Sequence, residues 1–224
     1  MSLSLDEILP DLKGKTLALF GDISGRRSIL IKQFILDGLQ GEGTSCIVTL
    51  TESAGDLIDE LSNFSSDASI LVNDAILNER LQIIDMYSFR GIKENETIPG
   101  VHVLSSVDEL TLLSITLNKI TKTYPNSRII IWPFSLLTIY ANQKDIVNFT
   151  QTISARIVDR KQLGLLIADT GVMDEKIKSI LESLVDSVIE TRKEEVEGES
   201  QETIRVKFFR GEELERFDVW TPLV

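Results

Sequence analysis

Short, almost uninterrupted apolar runs alternate along most of the chain with segments that carry an apolar residue every three or four positions. Such runs are typical of strands that are covered on both faces of a parallel sheet. The intervening segments, such as Ser28–Leu39, have the period of a helix. The apolar runs are Thr16–Phe20, Ser45–Leu50, Leu81–Met86, Arg128–Trp132 and Leu163–Ala168. The alternation predicts an α/β fold with helices on both faces of a mostly parallel sheet.

The period changes after residue 184. Ser187–Glu195 and Thr203–Phe209 alternate apolar and polar residues, and an acidic stretch around Gly198 joins them. This pattern predicts an antiparallel hairpin, with residues 217–223 as a last edge strand. A short lead-in helix over residues 5–14, a helix over Asp108–Lys122 and a surface loop over 88–100 complete the expected elements. Since no linker separates a second unit, one domain over residues 1–224 is predicted.

Composition and charge limit the kinds of partner and site that this protein can have. The 224 residues are 42% hydrophobic and 26% charged, which is ordinary for a globular protein. A net charge of −12 disfavours nucleic acid and anionic membrane surfaces as partners. The single cysteine, Cys46, excludes an internal disulfide, and neither a metal nor a cofactor is expected. Without a basic leader or a long apolar span, the chain is predicted to be cytoplasmic.

Residues 21–28 have the layout of a phosphate-binding loop between a strand and a helix. The candidate anion-binding residues are Gly21, Gly25, Arg26, Arg27 and Ser28. Such a loop needs Gly and then Lys before its Ser or Thr, and arginines stand at both positions. A Cβ at position 26 crowds the loop, and a planar guanidinium does not simply replace a lysine ammonium. Either the arginines bind a phosphate or another anion, or they pair with acidic groups of their own chain.

The collinear order of these segments resembles the ATPase core of the RecA superfamily, and most closely its KaiC-like branch, over about Leu12–Gly211. Residues 16–50 resemble the phosphate loop with its flanking elements, and RIIIWPFS resembles the Walker-B strand. Within that branch the chain is similar to small, divergent groups of hyperthermophilic archaea such as DUF257. The resemblance implies a three-layer, RecA/KaiC-like P-loop NTPase fold.

The family pattern also defines a site in which several positions are altered. Trp132 stands where the family has the acidic residue that positions Mg²⁺. Thr51 takes the first position of the family's Glu pair, so Glu52 is the one weak candidate for a catalytic base. In the alternative interpretation, Glu52 belongs to the first turn of the next helix. Trp132 and Asp85 are expected at the mouth of the cleft, where Trp132 would fill it and Asp85 would join a site or cap a helix.

These departures coincide with a well-kept core pattern. The sequence therefore predicts a catalytically inactive KaiC-like protein that acts as a protein- or peptide-binding or self-assembly module, with a homo-oligomer among the options. The alternative is a nucleotide- or phosphate-binding regulator with weak or slow ATPase activity. A DNA-handling recombinase is a third option, which the net charge of −12 opposes.

Overall fold

The computed structural model describes residues 4–9, 11–90, 98–106, 109–196, 199–211 and 218–223. Within them, nine strands form one sheet in the order β4-β3-β2-β5-β6-β1-β7-β8-β9. The strands are β1 (Lys15–Gly21), β2 (Thr44–Thr49), β3 (Leu81–Asp85), β4 (Val101–Val103), β5 (Ser127–Trp132), β6 (Leu163–Asp169), β7 (Ser187–Val196), β8 (Glu199–Phe209) and β9 (Thr221–Pro222). The helices are α1 (Leu5–Ile8), α2 (Gly25–Gly38), α3 (Ala54–Ser62), α4 (Ala68–Leu77), α5 (Leu110–Thr123), α6 (Phe134–Tyr140), α7 (Gln143–Arg160) and α8 (Glu175–Leu184).

In this sheet order, the strands from β4 across to β7, which include β3, β2, β5, β6 and β1, are parallel. Their carboxyl ends therefore meet at one edge. At this edge Gly21 of β1 lies opposite Asp169 of β6, and Thr49 of β2 lies opposite Trp132 of β5. The carboxyl edge of a parallel sheet is where α/β folds bind their ligands. The register therefore places the predicted loop and cleft residues along one side of the molecule.

Helices cover both faces of the sheet and bury two separate apolar clusters. Alternate residues of β1 point in opposite directions, so Leu19 packs with Phe34 of α2 while Phe20 packs with Phe134 of α6. Helices α1 to α4 contribute to the first cluster, and α5 to α8 contribute to the second. The three-layer α/β architecture predicted from the sequence is confirmed.

The closing hairpin is confirmed, and it projects beyond the parallel sheet. Only residues 187–190 of β7 pair with β1, whereas β7 and β8 pair along the whole hairpin. A β-bulge leaves Lys207 without a partner in the ladder, between Val206 and Phe208. Strand β9 pairs with Thr203 and Ile204 on the outer edge of β8, as the predicted edge strand.

Several predicted boundaries are wrong. The lead-in helix is only Leu5–Ile8, because the chain turns extended at Leu9. Helix α2 begins at Gly25, ahead of the predicted Ser28, because Ser24 caps it. In the predicted surface loop, 88–90 form a 3₁₀ turn, whereas 91–97 lie outside the described residues. Asp108, the expected start of α5, lies outside them as well.

Candidate functional site

The loop after β1 is short and is closed by a helix cap. Ser24 has extended backbone angles, and its hydroxyl accepts a hydrogen bond from the Arg27 amide at 3.2 Å. The Ser24 carbonyl accepts a second bond from the Ser28 amide at 3.1 Å. In a phosphate-binding loop the amides at a helix start point at the ligand. Here the Ser24 hydroxyl satisfies one of those amides, that of Arg27, while the Ser28 amide makes the first ordinary bond within the helix.

Arg27 lies inside the protein beneath this loop, with only 3% of its surface exposed. Its Nη1 donates to the carbonyls of Gly21 at 2.6 Å and Ala168 at 3.4 Å, and its Nη2 pairs with Asp169. Asp169 is held in turn by the Ser135 hydroxyl, which lies 3.3 Å from Oδ2 and 3.2 Å from the Asp169 amide. The guanidinium therefore fills the space above the ends of β1 and β6.

The hairpin and the C-terminal segment cover the loop from outside. The Ser24 hydroxyl donates to Glu202 Oε2 at 2.6 Å, and Arg26 Nη1 donates to the Leu223 carbonyl at 2.8 Å. The depression between loop and hairpin has a cavity volume of ≈ 0 Å³, whereas small-molecule sites usually hold about 300–1,000 Å³. It is lined by Asp22, Ser24, Thr191, Arg192, Lys193 and Glu202.

The two glycines of the loop differ in what they permit. A Cβ on Gly21 would meet the Thr191 hydroxyl at 2.0 Å, so β7 presses directly against the end of β1. A Cβ on Gly25 would meet nothing within 4 Å. Gly21 is therefore required by packing within the chain, and the geometry at Gly25 shows no close approach.

Trp132 is the last residue of β5 and Asp85 is the last residue of β3, so both lie at the carboxyl edge of the sheet. Trp132 is half-buried and packs against the apolar cluster on the α2 face of the sheet. Asp85 is fully buried, and its Oδ2 accepts from the Ala54 amide at 2.8 Å, where α3 begins. It also accepts from the Tyr87 amide at 2.8 Å and from the Ser88 amide and hydroxyl at 2.8 and 2.6 Å. Asp85 thus holds two chain segments at this edge.

Glu52 lies in the turn between β2 and α3, ahead of the Ser53 cap, and so outside the first helical turn. Burial, together with repulsion from Glu60 and Asp56, raises the pKa of Glu52 to about 7, although Lys32 lowers it in part. A carboxyl group with such a pKa can exchange protons near neutral pH. The raised pKa makes Glu52 the one predicted site residue with acid–base capacity, although it alone does not form a catalytic arrangement.

A larger cavity lies at the opposite edge of the sheet, between the N-terminal segment and the starts of β5 and β6. It has a volume of ≈ 510 Å³ and is lined by Lys13, Arg128 and Lys161 among other residues. None of the predicted site residues lines it. This cavity and the family's motif positions therefore lie on different sides of the molecule.

Asp169, Glu202 and Leu223 are contact residues that sequence reasoning missed. Asp169 has a signal, because it directly follows the apolar run of β6 at the ligand-binding edge. Glu202 and Leu223 lie far along the chain in the hairpin and the last segment, and no local pattern links them to the loop. In the described part of the chain, no group of three acidic, His or Cys residues could hold a metal ion.

Cys46 is fully buried in β2, and burial raises the pKa of its thiol to about 12. This agrees with the inert thiol that its apolar surroundings predict. Among the described residues, no helix has the length and apolar character needed to cross a bilayer.

Three solved structures from archaea have the same fold. The KaiC-like protein PH0186 of Pyrococcus horikoshii OT3 superposes with a TM-score of 0.69 at 15% identity, over 94% of this chain and 85% of that one. The flagellar accessory protein FlaH of Methanocaldococcus jannaschii gives 0.65 at 16% identity, over 88% and 80%. PH0321 of P. horikoshii, solved in complex with an unknown peptide, gives 0.66 at 17%, over 87% and 84%.

At such identities these likenesses establish the fold alone. A comparison with curated proteins finds no match. The family model described as "ATPase: KaiC" matches residues 4–219, which is nearly the whole chain. The narrower placement in DUF257 stays a prediction, but the chain itself belongs to the KaiC ATPase family.

Proposed function

We propose that this protein is a KaiC-family domain that no longer hydrolyses nucleotide and acts as a protein- or peptide-binding or self-assembly module. The observation that carries the proposal is the buried Arg27 guanidinium, which occupies the space above β1 and β6 and pairs with Asp169. A γ-phosphate with its Mg²⁺ would have to displace this pair. Moving a paired buried charge leaves its partner uncompensated, which costs about 3–5 kcal/mol.

The positions around the loop support the same proposal. The Ser24 hydroxyl satisfies the Arg27 amide at the start of α2, and Trp132 offers no oxygen ligand to a metal ion. A domain without a working nucleotide site can still bind a peptide or a protein, and PH0321 was solved with a peptide bound. That likeness concerns the fold, so the peptide is an analogy for this chain.

A steady-state ATPase assay with Mg·ATP tests the loss of hydrolysis. We expect the turnover of the wild-type protein to equal that of a Glu52→Gln variant, because no residue in the loop supports the reaction. Turnover clearly above that of the variant would refute the proposal. Light scattering over a concentration series tests self-assembly in the same preparation, and a strictly monomeric protein leaves only the binding role.

A nucleotide- or phosphate-binding regulator with slow ATPase activity is the second candidate. Arg26 favours it, because this exposed guanidinium lies at the start of α2 and has, among the described residues, a single carbonyl as partner. If Arg26 binds phosphate, millimolar ATP should raise Tm, since a ligand that binds only the native state stabilises it. The shift should disappear in Arg26→Ala, and an unchanged Tm in the wild-type protein would count against this candidate.

A further inference from the structure

Residues 218–223, which we call the strap, run along the outer edge of β8. The Asp218 amide donates to the Val206 carbonyl at 2.9 Å, and the Leu223 amide donates to the Glu202 carbonyl at 2.7 Å. Without the strap, these carbonyls would belong to an open sheet edge. An open edge with free backbone groups is a template for another extended segment. The backbone of β8 therefore offers a general site for an added strand.

The side chains of the strap make contacts on both faces of this edge. On one face the Trp220 ring contacts the guanidinium groups of Arg192 and Arg205, whose Cζ atoms are 3.8 and 4.6 Å from the ring centroid. On the other face Leu223, only 5% exposed, enters the apolar cluster beneath α2. An aromatic residue and an aliphatic residue three positions later thus have separate, fitted environments.

Charged groups fix the two ends of the strap. Asp218 Oδ1 accepts from Arg205 Nη1 at 2.6 Å. At the other end the Leu223 carbonyl accepts from Arg26 Nη1 at 2.8 Å, and Arg26 has no other partner in the described part of the chain. The edge therefore recognises an acidic residue, an aromatic residue two positions on, and an aliphatic residue three positions after that.

The strap can leave without disturbing the hairpin. Its ladder with β8 comprises only Thr221 and Pro222, both exposed, and Pro222 has no amide to donate. The ladder between β7 and β8 is independent of it and is ten residue pairs long in the described part of the chain. Detachment would open the β8 edge while the strands beneath remain paired.

We propose that the outer edge of β8 is a binding site for an extended peptide from a partner protein, and that the strap is the resident segment the partner displaces. The partner peptide carries the strap's own pattern of Asp or Glu, then an aromatic residue, then Leu or a similar aliphatic residue. This rests on the proposed function and names the site for it. Among the described residues, the strap is the segment that fits this edge, so its chemistry defines the ligand.

A labelled peptide with the sequence FDVWTPLV is the probe, and the full-length chain is the receptor. A Trp220→Ala/Leu223→Ala variant of the full chain holds its own strap weakly, so it should bind the peptide at least about tenfold more tightly than the wild-type protein. The matched control peptide, FDVATPAV, should bind neither protein. In the double-variant background, Arg192→Gln should weaken peptide binding about threefold or more, because one of the two cation–π contacts with the aromatic ring is lost.

Absence of peptide binding to a folded double variant would overturn the proposal. So would a dimer that exchanges straps while refusing the free peptide. If the double variant fails to fold, hydrogen exchange of the wild-type protein decides, since a detachable strap should exchange its Leu223 amide at least about a hundredfold faster than amides in β1. Equal rates would overturn the proposal. The ATPase assay is unaffected by any of these results, so the two proposals can fail separately.

Discussion

Two covers lie over the end of β1, and they differ in almost every physical respect. The inner cover is Arg27, a buried guanidinium paired with Asp169 and bonded to the backbone of two strands. The outer cover is the strap, a largely exposed segment held by two ladder residues, one aromatic ring, surface charges and the buried Leu223. The inner cover belongs to the core of the domain, whereas the outer one belongs to its surface.

Under the two proposals above, the difference separates permanent closure from reversible closure. Displacing Arg27 leaves a charge unpaired in a region of low dielectric, which is among the most costly changes a protein can undergo. Displacing the strap exposes the apolar Leu223, but the strap's backbone and charged groups are then solvated by water, so no buried charge is left unpaired. Under the same two proposals, nucleotide would be excluded at the carboxyl ends of β1 and β6, whereas an extended peptide could compete for the outer edge of β8.

The largest expected effect breaks the inner cover. Arg27→Met leaves Asp169 buried without its partner and should lower the free energy of unfolding by about 3–5 kcal/mol. Urea denaturation monitored by circular dichroism measures it. The matched control is Arg26→Met, which removes an exposed guanidinium next door and should change stability by less than about 0.5 kcal/mol. Equal losses in the two variants would contradict the distinction between covered and exposed arginines.

The next effect loosens the outer cover. Leu223→Ala removes an almost buried side chain and should cost about 2 kcal/mol, at the low end for such changes because the strap can relax outward. Val219→Ala in the same segment, where the side chain is 56% exposed, is the control and should be nearly neutral. Thermal unfolding of both variants provides the comparison. A neutral Leu223→Ala would mean that the strap is not anchored by this residue.

Glu52 provides a third reference point at the same edge but under neither cover. Its pKa is raised to about 7, so the folded state favours the neutral carboxyl, and the stability this provides is present at low pH and lost as pH rises through that value. Glu52→Gln should therefore match the wild-type protein near about pH 5 and exceed it by about 1 kcal/mol near about pH 8, after allowance for solvent screening. Denaturant titrations at both pH values test this. A constant difference would contradict the raised pKa.

The smallest effect concerns the charge at the start of the strap. Asp218→Asn removes an exposed pair with Arg205 and should cost less than about 0.5 kcal/mol at low salt. At about 1 M NaCl the difference should vanish, because the Debye length is then about 3 Å. Parallel denaturation curves at the two salt concentrations measure it. A cost that persists at high salt would place Asp218 in a drier environment than its exposure indicates.

The fold was predictable because its signals are local and repeated. Five continuous apolar runs indicate strands buried on both faces, and the change to period two at Ser187 marks the hairpin. Element ends were less predictable, since they depend on single contacts such as the Ser24 cap at the start of α2. A hydroxyl can cap a helix or remain exposed, and the pattern of apolar residues does not distinguish the two.

The candidate site was predictable only in its position along the chain. The substitutions at Arg26, Arg27 and Trp132 are visible in the sequence, but the partner of Arg27 lies 142 residues away, at Asp169. The strap and Glu202 reach the loop through the hairpin, so their roles depend on the sheet order rather than on any local motif. That order places β7 next to β1 and β8 beyond β7, which no pattern within β1 specifies.

The bulge at Lys207 separates two parts of the hairpin. On the side of the bulge toward the end of β8, residues such as Phe209 pair with the part of β7 that is attached to β1. On the side toward the tip of the hairpin, Glu202 hydrogen-bonds with Ser24. An extra residue on one strand bends and twists a ribbon. Because Val206 already pairs with Ile189 and Phe208 with Val188, deleting Lys207 would preserve which side chains face the core. The deletion would instead straighten the ribbon. The extra residue at Lys207 therefore sets the direction of the outer half of the hairpin, which reaches the loop through Glu202.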